Sequence, residues 1–231
     1  MTQIILPHKY HAQLTGWTCG PSTAKVVLST FGIDVTEQQM ATACHTTQDG
    51  TPDIVNVLAA VNARAGARYS PAYIKTPTPT AADVEALRSR LYETVVQNRR
   101  AMPVNIWAQA PTQPPGYPSN LIMHYVTDVG VEVDETRRDA KGYPYVTRAY
   151  ISDSARFSGI EHWWMPVEKL AINITPKGYG TLPAVAAPPA DPIIEALVQL
   201  VGPKAYDGWP QLGGRTLVDA LGELLKTAGV S

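Results

Sequence analysis

An α+β fold, with N-terminal helices packed on an antiparallel sheet and a small C-terminal helical module, follows from three observations. Apolar residues recur with helical spacing as far as Asn98. From Pro103 onward the spacing changes to the two-residue period of strands. A Pro/Ala-rich stretch then separates a last, short helical segment. Helices followed by strands is the order of an α+β domain. A chain of 231 residues, 45% hydrophobic, can bury one full core beside a small appendage.

The first predicted helix covers 20–31, with Ala24, Val27, Leu28 and Phe31 on one face and Gly32 as its stop. The second starts at Thr36, where Gln39 completes a capping box. The third opens with Thr51 as cap and Pro52 at the first helical position, and carries the stripe Ile54, Val57, Leu58 and Val61. The fourth runs from Thr80, paired with Asp83, to Asn98, with Val84, Leu87, Leu91 and Val95 as its apolar face. Strands follow at 103–108, 123–133 and 145–152, with a polar hairpin from Glu132 to Tyr145. The proline-rich loop 109–121 is placed to line a substrate cleft.

These elements predict a core domain at 1–175, a linker at 176–191 and a module at 192–231. The linker holds Pro176, Pro183, Pro188 and Pro189 and is semi-rigid by composition. The module has two short amphipathic helices, Ile193 to Val201 and Leu217 to Ala228, around the turn-rich segment 202–215 with Trp209. So small a unit is marginal alone. It is expected to dock on the core domain, pair with another copy, or fold on its target.

Charge narrows the partners. A formal net charge of −1 offers no electrostatic case for nucleic acid. No stretch approaches a membrane span, and the N-terminus lacks the basic and apolar regions of a signal peptide. Synthesis in a cytoplasm is expected. The two cysteines, Cys19 and Cys44, form no disulfide framework. His8 and His11 have ligand-like spacing, but no second pair follows at a zinc-like interval, so neither metal nor cofactor is expected.

The chemistry is concentrated in Gln13-Leu14-Thr15-Gly16-Trp17-Thr18-Cys19-Gly20-Pro21. A cysteine at a helix N-terminus feels the positive end of the helix dipole, which favours the thiolate. A glutamine six residues upstream can donate to an oxyanion, beside the cysteine N–H. Gly16 and Trp17 are assigned to the substrate cleft. Cys44, near a helix end, reads as core. His124 opens a strand downstream, and Asp153 closes a later one. They are the candidate base and its orienting acid, with His45 and His162 as competitors for the first role and Asp128 and Asn105 for the second. Asp128 shares a face with His124 but lies about 13 Å away at strand rise. Trp107, Trp163 and Trp164 read as core, with His162 as packing or substrate lining.

The order Gln13, Cys19, His124, Asp153 resembles the papain clan of cysteine peptidases. Cys19-Gly20-Pro21 followed by a small-residue helix is similar to the bacteriocin-processing peptidases, family 39. The resemblance spans about residues 1–175 and departs at Ser154, where the family has proline after the acid. It implies a papain-like fold, Cys19 as nucleophile, His124 as base, Asp153 as its support and Gln13 in the oxyanion hole. The run Gly208-Trp209-Pro210-Gln211-Leu212-Gly213-Gly214-Arg215-Thr216-Leu217-Val218-Asp219-Ala220-Leu221 resembles tails of lysins from actinobacterial phages. Together they imply an endolysin-type peptidase that cleaves an amide in the peptide part of bacterial peptidoglycan, acting at the wall after release from the host. Alternatives are a protease that matures a phage or secreted protein, and a non-catalytic wall-binding or structural protein on the same fold. An exporter peptidase is expected to be fused to membrane and ATPase segments, which these residues do not carry.

Overall fold

The computed structural model describes residues 1–185 and, beyond them, Asp219, Ala220, Glu223, Leu224 and Thr227, all helical. The chain divides into two compact units, Met1–Val185 and Ala186–Ser231. The expected helix Ile193 to Val201, the segment with Trp209, and the linker from 186 onward lie outside the described residues.

In the first unit, the helices are α1 (Cys19–Ser29), α2 (Glu37–Ala43), α3 (Ile54–Ala65), α4 (Ala81–Leu91) and α5 (Val167–Ile174). α4 continues into a π-helical turn, Tyr92–Gln97. Both expected capping boxes are present, Thr36 with Gln39 and Thr80 with Asp83. The third helix corrects its expected start: Asp53, not Thr51, is the cap, its carboxylate accepting from the Val55 N–H at 3.0 Å. A carboxylate two residues before a free helical N–H out-competes the Thr51-Pro52 signal. The stripe Ile54, Val57, Leu58 and Val61 is buried as expected.

The strands are β1 (Thr2–Ile5), β2 (Ser70–Tyr73), β3 (Met102–Ala108), β4 (Ile122–Arg138), β5 (Pro144–Ser152), β6 (His162–Pro166) and β7 (Gly178–Thr181). They form one antiparallel sheet of order β2-β7-β3-β4-β5-β6, with β1 added along β4. β4 is long enough for two partners on one side. It pairs with β3 over 122–128 and with β1 over 130–133. Gly130 permits the second pairing, because a Cβ there would meet the Ile4 carbonyl oxygen at 2.7 Å. β7 corrects the expected linker: residues 178–181 are buried between β2 and β3, so the core domain extends past Pro176.

α1, α2 and α3 pack on one another, and α1 and α3 pack on the sheet at β3, β4 and β7. α4 and α5 pack on each other and on β3 and β5. The α1 residues Ala24, Val27 and Leu28 meet no solvent. The start of α1 is thereby held against the first residues of β4. Among the described residues, no helix is long and apolar enough to cross a membrane.

Candidate active site

Cys19 is the first residue of α1 and is 8% exposed. Gly20 explains the local sequence: a Cβ there would lie 2.2 Å from the Thr51 hydroxyl. Only glycine lets the helix start seat against the loop that precedes α3.

The strand register brings the next two groups together. Thr127 faces Ser152 across the β4–β5 pair. One step further along that register, Asp153 falls opposite Val126, on the face that also carries His124. Such diagonal neighbours are within reach of side chains of this length. His124 Nε2 lies 2.9 Å from Asp153 Oδ1, and both residues are buried. Nδ1 is left for Cys19, which shares a side-chain hydrogen bond with His124. The structure thus joins Cys19, His124 and Asp153 in one buried row.

Asp153 has every lone pair directed at a donor. Oδ1 also accepts from the Ala155 N–H at 3.0 Å, and Oδ2 accepts from the Tyr117 hydroxyl at 2.7 Å and the Trp163 indole N–H at 3.1 Å. Tyr117 comes from the loop expected to line a cleft. Trp163 is buried as expected and also donates to the acid. Their proximity to Asp153 arises only from the β5–β6 pairing and loop packing, and no sequence spacing marks it.

Burial pushes the Cys19 thiol up, but the hydrogen bond and charge of His124, with backbone bonds from Tyr125 and Gly20, outweigh it and hold the thiol below its ordinary range. Burial alone would depress His124; Asp153 and Cys19 instead raise it to about 10. Asp153 is pushed up by burial and pulled further down by His124, Tyr117 and Trp163, ending below the usual carboxylate range. The directions agree on a thiolate–imidazolium–carboxylate array. Cys44 has no such partner, and burial drives its thiol to about 12.

Gln13 is tied to the loop that carries the acid. Its backbone N–H donates to the Ser154 carbonyl at 3.0 Å, and its Oε1 accepts from the Ser154 hydroxyl at 3.0 Å. Its Nε2 donates to the Thr15 carbonyl at 2.8 Å, which leaves one amide N–H uncommitted. Glu37, which the sequence did not single out, steadies the same segment. Its two oxygens accept from the Leu14 N–H and the Ser22 hydroxyl.

One cavity adjoins this row, and a second is lined by the segment just before Cys19. The first, of 180 Å³, is lined by Cys19, His124, Asn105, Met123 and Lys177 among others. The second, of 420 Å³, is lined by Leu14, Trp17, Thr18, Glu37 and Gln38. Trp17 is 39% exposed and walls this second cavity; Gly16 is exposed beside it. The alternatives fall elsewhere. His45 is exposed at a turn with φ 54°. His162 Nε2 lies 3.0 Å from His8 Nε2, with its ring stacked on Tyr150. Asp128 is buried with Oδ1 on the Gly130 N–H, and Oδ2 has no partner among the described residues. Asn105 lines the cavity at Cys19 but makes no hydrogen bond with His124.

Comparison with known proteins agrees with this architecture. Residues 188–229 match the model of the Rv3766 C-terminal domain. No curated protein matches the chain. The peptidase domain of Streptococcus ComA, a bi-functional ABC transporter, is similar in fold, with 13% identity and a TM-score of 0.50 over 77% of this chain and 100% of that one. A C39-like peptidase from Bacillus anthracis superposes with 12% identity and a TM-score of 0.50, over 79% of this chain and 98% of that one. Residues 5–174 match the Peptidase_C39 like family, and the chain therefore belongs to that family of papain-like cysteine peptidases.

Proposed function

We propose that Cys19, His124, Asp153 and Gln13 hydrolyse an amide bond in the peptide part of bacterial peptidoglycan, as an endolysin does. The observation that carries the chemistry is His124, buried between Cys19 and the fully bonded Asp153. In this reading the Cys19 thiolate attacks the carbonyl carbon of the scissile amide. The oxyanion receives the Cys19 N–H and the remaining Gln13 amide N–H. His124 gives its proton to the leaving amine as the tetrahedral adduct collapses to a thioester. It then takes a proton from the water that releases the acid and restores Cys19. Asp153 holds the imidazole in the tautomer that presents Nδ1 to sulfur and stabilises its charged form. Gly16 and Trp17 flank the substrate.

The wall substrate is supported by the resemblance of 208–221 to tails of phage lysins. Release from the host would follow synthesis in its cytoplasm, and the module at 192–231 would target the wall or assemble copies. The test is digestion of purified actinobacterial walls by wild type and Cys19→Ala, with mass spectrometry of released fragments. New amine and carboxyl ends that require Cys19 support the reading and name the bond. Cleavage that survives in Cys19→Ala, or that EDTA abolishes, removes the thiol mechanism. Intact walls together with cleaved soluble proteins would assign the enzyme to protein maturation.

A further inference from the structure

The cavity beside Cys19 and His124 holds two groups that the thiol chemistry does not use. Lys177 is half-buried at its rim, in the turn between α5 and β7, and Asn105 lies on β3. The Lys177 ammonium sits 5.4 Å from the centre of the Trp107 ring, which holds the chain in place without neutralising it. Among the described residues, no carboxylate is within ion-pair distance of Lys177. Asp49 also lines the cavity, from the Thr47–Gly50 turn, but stays outside that distance. Asn105 is only 7% exposed, yet its amide has no hydrogen bond to any described residue. That amide opens on the cavity and can give its N–H to a ligand there.

Resting on the peptidase reading above, we propose that Lys177 and Asn105 form a carboxylate-binding subsite, and that the residue adjoining the scissile amide carries a free carboxylate. A carboxylate offers two acceptors, one for the ammonium and one for an amide N–H. The 180 Å³ of the cavity equals about six water molecules of liquid volume, enough for a short acidic side chain or chain end. Peptides are the substrates of this family, so the anion expected beside the thiol is a carboxylate.

Iodoacetate and iodoacetamide test this directly. They alkylate the same sulfur and differ in a carboxylate against a carboxamide. The ratio of their rates at Cys19, by mass spectrometry of the intact chain near pH 7, should fall about fivefold or more in Lys177→Gln, as loss of a charge-assisted bond demands. It should fall in Asn105→Asp as well, where like charges meet. A Glu/Gln peptide pair differing beside the scissile bond should show the same loss of preference, chiefly in KM. A ratio that Lys177→Gln and Asn105→Asp leave unchanged, in folded protein with a reactive Cys19, overturns the subsite alone. A wild-type Cys19 no more reactive than Cys44 overturns the thiolate reading, and the subsite with it.

Discussion

Asp153→Asn tests the charge on the row while nearly preserving its shape. The Trp163 indole N–H can only donate and the Tyr117 hydroxyl donates to the same Oδ2, so the asparagine oxygen takes that place and its NH₂ the place of Oδ1, at the cost of the Ala155 N–H bond. Its NH₂ then faces His124 Nε2, which must become an acceptor. The imidazole proton moves to Nδ1 and points at Cys19, and neutral His124 can no longer receive the thiol proton. A hydrogen bond to a charged group contributes roughly 1.5–3 kcal/mol, which is about 1–2 pKa units taken from His124. The thiolate fraction of Cys19 near pH 7 should fall about 10–100-fold. Hydrolysis should fall further, towards the roughly 10⁴-fold loss that a wrong tautomer produces in serine triads. The assay is the pH dependence of iodoacetamide labelling at Cys19 in a Cys44→Ser background, which needs no substrate, followed by kcat/KM on a cleaved peptide. An unchanged labelling profile in Asp153→Asn would refute the assignment of Asp153, and a crippled Asn105 or Asp128 variant beside it would name the replacement. Asp153→Ala is the poorer probe, because it strands the Tyr117 and Trp163 donors in the interior at about 1–3 kcal/mol each.

Gln13→Ala should lower kcat about 10²–10³-fold, or about 3–4 kcal/mol, with little change in Cys19 labelling, since it removes an oxyanion donor and not the base. Hydrolysis should rise with pH through the lowered Cys19 value and persist well above 6.5, because His124 stays charged until about pH 10; a fall centred near 6.5 would contradict the ion pair. Asp128 has its pKa raised by burial above the unfolded value of 3.8, so the folded state holds the extra proton and this residue's contribution to stability declines as pH rises above 3.8 towards the folded value. Asp128→Asn should remove that slope, and urea titrations at two pH values compare it with wild type. A chain ending after Val185 should keep soluble-peptide turnover and bind whole wall less well, whereas one ending near Pro176 loses β7 and should unfold; thermal melts and wall pull-down distinguish them.

Much of the fold was legible because its signals are local. The two capping boxes and the stripes of α1, α3 and α4 depend on residues a turn or two apart, and β3, β4 and β5 announce themselves by period and length. The candidates Cys19 and Gln13 were likewise chosen from a single short segment. β1, β2 and β7 escaped notice because each has four residues, too few for a period, and is a strand only through its partner. Asp153 was a choice among three candidates until the β4–β5 register put it diagonal to His124 and left Asp128 further along the strand. The bonds from Tyr117, Trp163 and Ser154 that hold Asp153 and Gln13 join segments far apart in sequence. Residue types alone determined which chemistry this chain could perform. Which acid, which supports and which side chains face the thiol are properties of contacts that exist only after the sheet has closed, and those the tertiary structure decided.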